Sequence, residues 1–189
     1  MYWVMASERS DEYERSMDQL PPMYESLELH LDQGNLVPNN LPSIDIPFTQ
    51  HPEEYITDNI VVPMRMGLLI NNKVKTVFDR LGISNIQYFK ARLIDQATQT
   101  VDENYYVANI IGSYACVDHA ESELELFDDG SIEFIDKLVL KLDERNDYEH
   151  VFRLAEFPAL LIISQMLKDS LLESKITGFK FYEPSEFSL

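Results

Sequence analysis

The stretch INNKVKTVFDRLGISNIQYF, at residues 70–89, aligns without a gap with ISQMLKDSLLESKITGFKFY at residues 163–182, at a constant offset of 93. The matching pairs are mainly apolar or turn-forming residues, such as Val74 with Leu167. In each copy an apolar spacing of three and four residues gives way to alternation, which is typical of a helix followed by a strand. The repeat therefore predicts a duplicated helix-strand unit.

The ends of the predicted helices carry capping residues. In the first copy Asn71 or Asn72 can act as the N-cap, and Gly82 is suited to the C-terminal end. Ser164 can cap the second copy in the same way. The apolar face of the first helix consists of Ile70, Val74, Val77, Phe78 and Leu81.

A strand-rich region lies between the two copies. Turn signals occur at residues 102–104 and at the Asp-Asp-Gly of residues 128–130. Helices that flank a run of strands, without strict alternation of strand and helix, indicate an α+β fold with a mainly antiparallel sheet flanked by helices. The predicted strands cover residues 86–94, 105–111, 123–127 and 132–142.

The N-terminal third differs from the rest in composition. Seven of the nine prolines lie at or before Pro63, and the first sixty residues hold twelve acidic residues against two basic ones. Since proline interrupts regular structure, we expect short elements here: a strand at residues 2–5 and a strand or short helix at residues 23–30. We predict that residues 1–62 form an acidic layer or lobe and residues 63–189 the main α+β domain.

Length and composition indicate a protein that can bury a core, with 189 residues of which 45% are hydrophobic. The single cysteine, Cys116, excludes an intramolecular disulfide and lies in an apolar run, so we expect it to be buried. The N-terminus lacks the basic and apolar regions of a signal peptide, and no segment approaches 18 apolar residues. We therefore expect a cytoplasmic protein.

Sequence motifs for metal, cofactor or catalytic sites are absent. The four histidines are scattered without zinc-ligand spacing, and no glycine-rich phosphate loop exists. Residues 128–131 resemble a calcium loop only superficially, because the closing glutamate is missing. We expect no metal, no cofactor and no enzymatic activity, although the many carboxylates leave an uncharacterised enzyme as an alternative.

The net charge of −18 limits the classes of partner. Nucleic acids and anionic membranes are bound by basic surfaces, so neither suits this chain. A protein partner with a basic surface is compatible with the charge. High acidity can equally serve solubility alone.

Residues 118–136 form the most acidic stretch, with eight acids and no lysine or arginine. Glu121, Glu123 and Glu125 alternate with other residues, so in a strand they would share one face about 6–7 Å apart. Such a row requires water or cations nearby, because like charges repel. It can be a solvated strand face or a docking surface for a basic partner.

We predict a partner-binding site around this stretch, with a second acidic group near the N-terminus. Lys137 and Arg153 stand beside predicted core strands, and we expect both to pair with nearby acids within the fold. The site residues are Asp118, Glu121, Glu123, Glu125, Asp128, Asp129 and Glu133, followed by Asp11, Glu12 and Glu14 in the second group.

A series of packing and turn residues resembles a known family. The segments that carry the resemblance include YYVANII from Tyr105, IDKLVL from Ile135, HVFRL from His150 and ITGFKF from Ile176. They are similar to bacterial immunity-protein family 11, whose genes lie beside those of polymorphic toxins and type VI secretion effectors. The resemblance is weakest in residues 1–62 and carries no catalytic constellation.

The resemblance implies a non-enzymatic protein that binds and neutralises a cognate toxin encoded next to it. An acidic inhibitor suits a toxin with a basic substrate groove, such as a nuclease acting in the cytosol. An acidic DNA mimic that sequesters a DNA-binding protein is the alternative, since the charge would serve it equally well.

Overall fold

The computed structural model of the chain describes residues 1–128, 130–143 and 148–189. In these residues the chain forms short and medium strands, three α-helices and a 3₁₀ turn at Pro184–Glu186. The helices are α1 (Met23–Ser26), α2 (Asn72–Arg80) and α3 (Gln165–Glu173). The strands are β1 (Tyr2–Ala6), β2 (Ile44–Phe48), β3 (Asn59–Ile60), β4 (Leu68–Asn71), β5 (Ile86–Asp95), β6 (Val101–Ile110), β7 (Ser113–Tyr114), β8 (Glu123–Leu126), β9 (Ile132–Lys137), β10 (Val151–Leu154), β11 (Phe157–Ser164) and β12 (Lys180–Tyr182).

The strands form two five-stranded sheets and a separate hairpin. The first sheet has the order β2-β5-β6-β4-β3, and the second has the order β12-β1-β11-β10-β7. The hairpin consists of β8 and β9. Within the described residues, named strands pair in parallel only between β2 and β5 and between β7 and β10. The predicted α+β fold with mainly antiparallel pairing is confirmed.

The duplicated unit is present in the structure and is larger than predicted. Helices α2 and α3 begin and end at residues separated by the predicted offset of 93. Each is preceded as well as followed by a strand of its own sheet: β4 and β5 in the first, β11 and β12 in the second. One antiparallel strand lies between the two, β6 in the first sheet and β1 in the second. Each unit is therefore a β-α-β arrangement split by an inserted strand.

The helix starts follow the predicted capping residues. Asn71 is the N-cap of α2, and its side chain accepts hydrogen bonds from the amides of Lys73 and Val74 at 3.0 and 3.3 Å. Ser164 is the N-cap of α3 and accepts from the amide of Leu167 at 3.2 Å. These bonds satisfy amides that have no partner in the first turn of a helix.

The helix ends share one hydrogen-bond pattern. After α2 the amide of Gly82 donates to Asp79 at 3.0 Å, and the amide of Ile83 donates to Phe78 at 3.1 Å. The equivalent bonds close α3 at 2.9 and 3.0 Å. This Schellman motif needs a left-handed residue, which is Gly82 in the first unit (φ 68°) and Lys175 in the second (φ 52°). The second unit therefore holds a lysine where glycine is favoured.

This difference gives a matched stability test. We expect Lys175→Gly to raise the free energy of unfolding by about 0.5 kcal/mol, because relief of left-handed strain exceeds the added entropy of the unfolded chain. Gly82→Ala should lower it by about 1 kcal/mol, since a Cβ at Gly82 meets nothing within 4 Å and the cost is purely conformational. Urea unfolding measures both variants. Equal shifts of the same sign would contradict this account.

Asp58 links the two units. Its carboxylate accepts hydrogen bonds from the Asn71 side chain at 2.8 Å, from Lys73 Nζ at 3.0 Å and from the Thr177 amide at 2.9 Å. Gly178 follows in the left-handed region (φ 88°), where a Cβ would lie 1.9 Å from the carbonyl oxygen of Asn59. Only glycine permits this approach of the second unit to β3.

The Asp58 contacts should make stability depend on acid pH. Burial alone would raise the pKa of Asp58, but hydrogen bonds from Asn71, Thr177 and Lys73 outweigh it and lower the pKa below the ordinary 3.8. A carboxyl group whose pKa is lower in the folded than in the unfolded state stabilises the fold. This contribution is complete well above pH 3.8 and is lost as the pH falls toward the pKa of the folded state. We expect Asp58→Asn to lower the free energy of unfolding at pH 7 by about 2 kcal/mol.

The variant should also lose less stability than the wild type between pH 5 and pH 3, because it lacks this titrating group. Urea unfolding at several pH values, with the exposed Glu53→Gln as control, measures the difference. Parallel losses in wild type and Asp58→Asn would show that Asp58 is not responsible.

The apolar residues form three clusters in layers. The middle cluster lies between the sheets and includes both helices, with Ile70 and Val74 from one unit and Ile163 and Leu167 from the other. The outer face of the first sheet is covered by the segment between β1 and β2, residues 7–43, which we call the covering segment; its buried contacts are Met17, Tyr24, Leu29 and Leu31. The outer face of the second sheet is covered by Val117, Ile132, Ile135, Leu138 and Phe187.

Arg153 in β10 ties these layers together. Its buried guanidinium donates to the carbonyls of Ile110 at 3.3 Å, Pro158 at 2.8 Å and Leu31 at 2.9 Å. These acceptors belong to the first sheet, the second sheet and the covering segment. The predicted ion pair between Arg153 and an acid is wrong, because backbone carbonyls accept the hydrogen bonds of its guanidinium. Asp32 is close enough to stabilise the positive charge of Arg153 but accepts no hydrogen bond from it.

Several local predictions need correction. The predicted turn at residues 102–104 lies inside β6, and the chain instead turns after Asp95, whose carboxylate accepts from the amide of Ala97 at 3.0 Å. The long strand predicted at residues 132–142 ends at Lys137. At residues 23–30 the alternative of a short helix is confirmed by α1.

The boundary predicted between residues 62 and 63 stays a prediction. β1 lies in the middle part of the second sheet, and β2 and β3 form the two edges of the first. In the described residues no helix is long and apolar enough to cross a membrane.

Candidate partner-binding site

The acidic stretch forms the hairpin β8–β9 on the second sheet. Phe127 N–H donates to the carbonyl of Ser131 at 2.9 Å and closes the loop, and Gly130 in it has a φ of 84°. The predicted hairpin turn is confirmed at residues 128 and 130, while Asp129 lies outside the described residues. Register shifts in the ladder place extra residues on β9, which twists the hairpin.

The inner face of the hairpin is apolar. Leu124 lies opposite Ile135, and both pack in the third cluster together with Ile132. Ile135 and Leu189 also exchange backbone hydrogen bonds at 2.9 and 3.4 Å, which fixes β9 to the C-terminal segment. The hairpin is therefore anchored by burial rather than by its charges.

The outer face combines carboxylates with large apolar side chains. Glu123 and Glu125 are exposed two residues apart on β8, and Phe134 lies directly opposite Glu125. Phe127 follows Glu125 at the strand period, which places it on the same face. Phe127 is 51% exposed and Phe134 43% exposed, and Leu126 at the end of β8 is 48% exposed. Leu126 lies opposite the buried Ile132 and so belongs to the other face, at its open end. We call Glu123, Glu125, Phe127 and Phe134 the outer hairpin face.

The predicted row of three glutamates is shortened to two. Glu121 precedes β8 in a turn, where its amide donates to the Asp118 carbonyl at 3.2 Å. Ser122 then bonds through its hydroxyl to the amide of Val139 at 2.9 Å, so regular pairing of β8 starts only at Glu123. The local hydrogen bonds of Asp118 and Ser122 compete with the strand ladder.

The other predicted residues of the acidic stretch lie around the outer hairpin face. Asp128 is exposed at the loop, and Glu133 is exposed on β9 beside Phe134. Asp118 is half-buried and lies 4.0 Å from Lys141 Nζ, a distance at the limit of an ion pair. Lys137 lies opposite Glu123 and forms no ion pair within the described parts of the chain.

The second predicted group lies elsewhere, against the first sheet. Glu14 is 1% exposed, and its carboxylate accepts from the amide of Ser10 at 2.8 Å and from the hydroxyl of Thr57 at 3.2 Å. Asp11 accepts from the hydroxyl of Tyr55 at 2.9 Å, and this bond lowers the pKa of Asp11. Glu12 is exposed. The structure does not bring this group together with the hairpin, and Asp11 and Glu14 hold the local backbone.

The exposed carboxylates of the hairpin have no cationic partner among residues 1–128, 130–143 and 148–189. This holds for Glu121, Glu123, Glu125, Asp128 and Glu133. Neighbouring unpaired carboxylates repel one another, and a cationic partner would relieve that repulsion. The apolar side chains among them add area that gains from removal from water.

Phe127 and Phe134 were missed as candidate site residues because the prediction relied on charge. The sequence carried a signal for Phe127, which follows Glu125 at the strand period and should face the same side as that acid. Phe134 has Ile132 and Asp136 two positions away, so its exposure follows only from its pairing opposite Glu125. Exposed aromatics are enriched in protein interfaces.

The described residues do not support a metal site or a nucleophilic cysteine. Within the described residues, no group of three or more histidine, cysteine, aspartate and glutamate side chains is arranged to hold a metal ion. Cys116 is buried as predicted, and burial raises the pKa of its thiol to about 12. A thiol with this pKa is a poor nucleophile at neutral pH.

Comparison with protein families matches residues 8–186 to the immunity protein family Imm11. The chain belongs to this family. The match takes in residues 8–62, where the motif resemblance is weakest. No curated protein matches the chain. Family membership implies binding to a cognate toxin, and immunity proteins are generally not enzymes.

Removing the aromatic side chains of the outer hairpin face should leave the fold intact. We expect Phe127→Gln combined with Phe134→Gln to change the free energy of unfolding by less than about 1 kcal/mol, because both side chains are largely in water. Ile135→Ala on the inner face should cost about 2–5 kcal/mol. Thermal and urea unfolding compare the two variants. A large loss in the aromatic variant would mean that these side chains serve the fold.

Proposed function

We propose that this immunity protein neutralises its cognate toxin by docking the outer hairpin face on a basic surface at or beside the toxin's active site. The observation that carries the proposal is the exposed Phe127 and Phe134 within a cluster of carboxylates that lack cationic partners. Family membership supports binding to a toxin. Occlusion by binding requires no catalytic group in the inhibitor.

The charge supports fast association with a basic partner. The chain has a net charge of −18, and the 118–136 stretch holds eight acids without a lysine or arginine. Complementary potentials steer diffusional encounter and raise association rates at low salt. Rapid capture would benefit a cell in which an active toxin molecule is present. The acids therefore contribute mainly to the rate and specificity of binding.

The apolar side chains support a stable complex. Energetic hot spots in interfaces are usually a few large side chains that lose contact with water, surrounded by polar residues. Phe127 and Phe134 have this arrangement, since Glu123, Glu125 and Glu133 lie beside them. These two aromatic side chains would anchor the toxin while the carboxylates form the rim.

We infer that the toxin is a nuclease delivered to the cytosol as a secreted effector. Nucleases carry basic grooves that hold the phosphate backbone of their substrate. An acidic face can occupy such a groove. This step rests on the sign and location of the charge, and the matched family does not specify the toxin's chemistry.

The alternative of a DNA mimic receives less support from the structure. A mimic would present carboxylates at regular, phosphate-like intervals along an extended surface. Here only Glu123 and Glu125 share a face of β8, and aromatic side chains interrupt the pattern. The mixture of aromatics and acids suits a protein interface better than imitation of a phosphate backbone.

A charge-reversal variant tests the acidic part of the proposal. We expect Glu121, Glu123 and Glu125 changed together to lysine to slow association with the toxin roughly 10-fold or more at low salt and to weaken its salt dependence. The matched control changes the exposed Glu53, Glu103 and Glu173 to lysine and so has the same net charge. Stopped-flow or surface-based kinetics with a catalytically inactive toxin measures both.

The two variants separate local from global electrostatics. The control should lose much less of the association rate, because its charges lie on other elements. Equal rates for the hairpin variant and the wild type would overturn the proposed docking face. Equal losses in both variants would assign steering to net charge alone and remove the hairpin's special role.

A further inference from the structure

One side of strand β8 has no neighbouring strand. Among the described residues β8 pairs only with β9, so the side of β8 that faces away from β9 is unpaired. We call this side the free edge. An unpaired strand edge presents main-chain donors and acceptors that can pair with a strand of another molecule. Docking of the outer hairpin face makes no use of these main-chain groups.

The hydrogen bonds of β9 show which main-chain groups lie on the free edge. Ile135 exchanges main-chain hydrogen bonds with Leu189 at 2.9 and 3.4 Å, so its amide and carbonyl face Leu189 and not β8. Ile135 lies opposite Leu124, and these two residues therefore form a pair without hydrogen bonds between them. In such a pair both residues direct their main-chain groups outward. The amide and carbonyl of Leu124 thus point to the free edge.

The hairpin loop gives the same alternation for Leu126. The amide of Phe127 donates to the carbonyl of Ser131 at 2.9 Å, which is toward β9. Successive amides of a strand point to opposite sides, so the amide of Leu126 points away from β9. The extra residues of the ladder lie on β9, so the alternation along β8 is unbroken. The free edge therefore offers the main-chain groups of Leu124 and Leu126 to an extended segment.

The other sheet edges in the described residues are short or blocked. β2 holds Pro47, which has no main-chain donor, and β3, β7 and β12 have only two or three residues each. β9 is already bonded at Ile135 to Leu189. Proline and short edge strands are common protections against pairing with another chain. β8 has four residues, Glu123–Leu126, none of which is proline or lysine, so its edge is the best suited to accept a strand.

The side chains of β8 define the sequence of a paired strand. Glu123 and Glu125 point to the outer face of the hairpin, and Leu124 and Leu126 point to the inner face. Residues directly opposite each other in paired strands share a face. A strand on the free edge would therefore place one set of side chains beside the two carboxylates and the alternate set beside the two leucines. Lysine or arginine suits the first set, and apolar residues suit the second.

The exposure of Leu126 supports an apolar residue in the second set. Its side chain is 48% exposed, although Ile132 opposite to it is buried. Leu126 therefore stands at the border of the apolar inner face, with part of its surface in water. An apolar side chain on an added strand would remove this surface from water, which is favourable.

A second copy of this chain does not suit the free edge. Two copies of β8 paired with each other would bring Glu123 and Glu125 of one copy beside the same residues of the other. Like charges directly opposite each other destabilise a strand pair. The glutamates of β8 therefore disfavour self-association and favour a basic partner.

We infer that the free edge of β8 receives an extended strand of the toxin, in which basic residues alternate with apolar ones. Main-chain hydrogen bonds to Leu124 and Leu126 set the register of this strand, and ion pairs with Glu123 and Glu125 select its sequence. The inference rests on the proposed function, because it names the element of the toxin that meets the hairpin. The toxin surface beside that strand contacts the outer hairpin face.

Amide exchange at the two leucines tests the inference without a mutation. Hydrogen exchange followed by NMR at single residues compares the free protein with its complex with the catalytically inactive toxin encoded beside its gene. We expect the amides of Leu124 and Leu126 to exchange at least about 100-fold more slowly in the complex, because each gains a main-chain acceptor. The amide of Glu53, in an exposed turn away from the hairpin, should keep its rate.

A proline variant tests the same edge by affinity. Leu126→Pro removes one amide donor from the free edge, at a position where proline is tolerated because the amide faces solvent. We expect it to bind the inactive toxin at least about 30-fold more weakly by titration calorimetry. The matched control Leu126→Thr loses the leucine side chain but keeps the amide, and should bind within about 5-fold of wild type. Circular dichroism and melting temperature check that both variants are folded.

The outcomes separate this inference from the proposed function. A complex that forms without slower exchange at Leu124 and Leu126 would overturn the strand inference and leave the docking hairpin standing. Wild-type affinity in a folded Leu126→Pro would do the same. A wild-type protein that fails to bind the neighbouring toxin would overturn both proposals. A dimer of the free protein in analytical ultracentrifugation, with both amides already protected, would overturn the strand inference in favour of self-pairing.

Discussion

The buried guanidinium of Arg153 constrains how the two sheets and the covering segment meet. It donates to three backbone carbonyls in three different parts of the chain, the most distant being Leu31. Transfer of a charged side chain from water to the protein interior costs free energy, and the three hydrogen bonds of Arg153 offset this cost only if all three acceptors stay in place. Loss of the side chain would remove a donor from each of these three carbonyls. Arg153 therefore fixes the two sheets and the covering segment relative to one another.

The fold could be predicted from sequence where contacts are local. The helices α2 and α3, their N-caps Asn71 and Ser164, and the hairpin turn around Gly130 follow from short-range patterns. The arrangement of strands could not be predicted in this way. β1 pairs with β11 and β12 across most of the chain, and β10 and β11 read as apolar runs without a distinct period. Such pairing depends on tertiary context that periodicity does not contain.

The sequence predicted where the candidate site lies in the chain, but only some of the residues that form it. Charge identified the stretch that holds Glu123 and Glu125, and both are exposed on β8. The prediction from charge also selected Glu14, which is buried and accepts a hydrogen bond from Thr57. Its burial could not be predicted, because the short turn that encloses it has no periodic pattern of apolar residues. The same prediction overlooked Phe127 and Phe134, since aromatic residues in a strand usually indicate burial. Sequence pattern shows alternation, but only packing shows which side faces water.

Hydrogen–deuterium exchange of the protein alone and bound to its inactive toxin tests the central claim most directly, because it maps the contact surface along the whole backbone. The account predicts slower exchange in β8 and β9, with the covering segment and helices α2 and α3 unchanged. Protection confined to the covering segment or to the two helices would contradict the account, because it would place the toxin-binding surface away from the acidic hairpin.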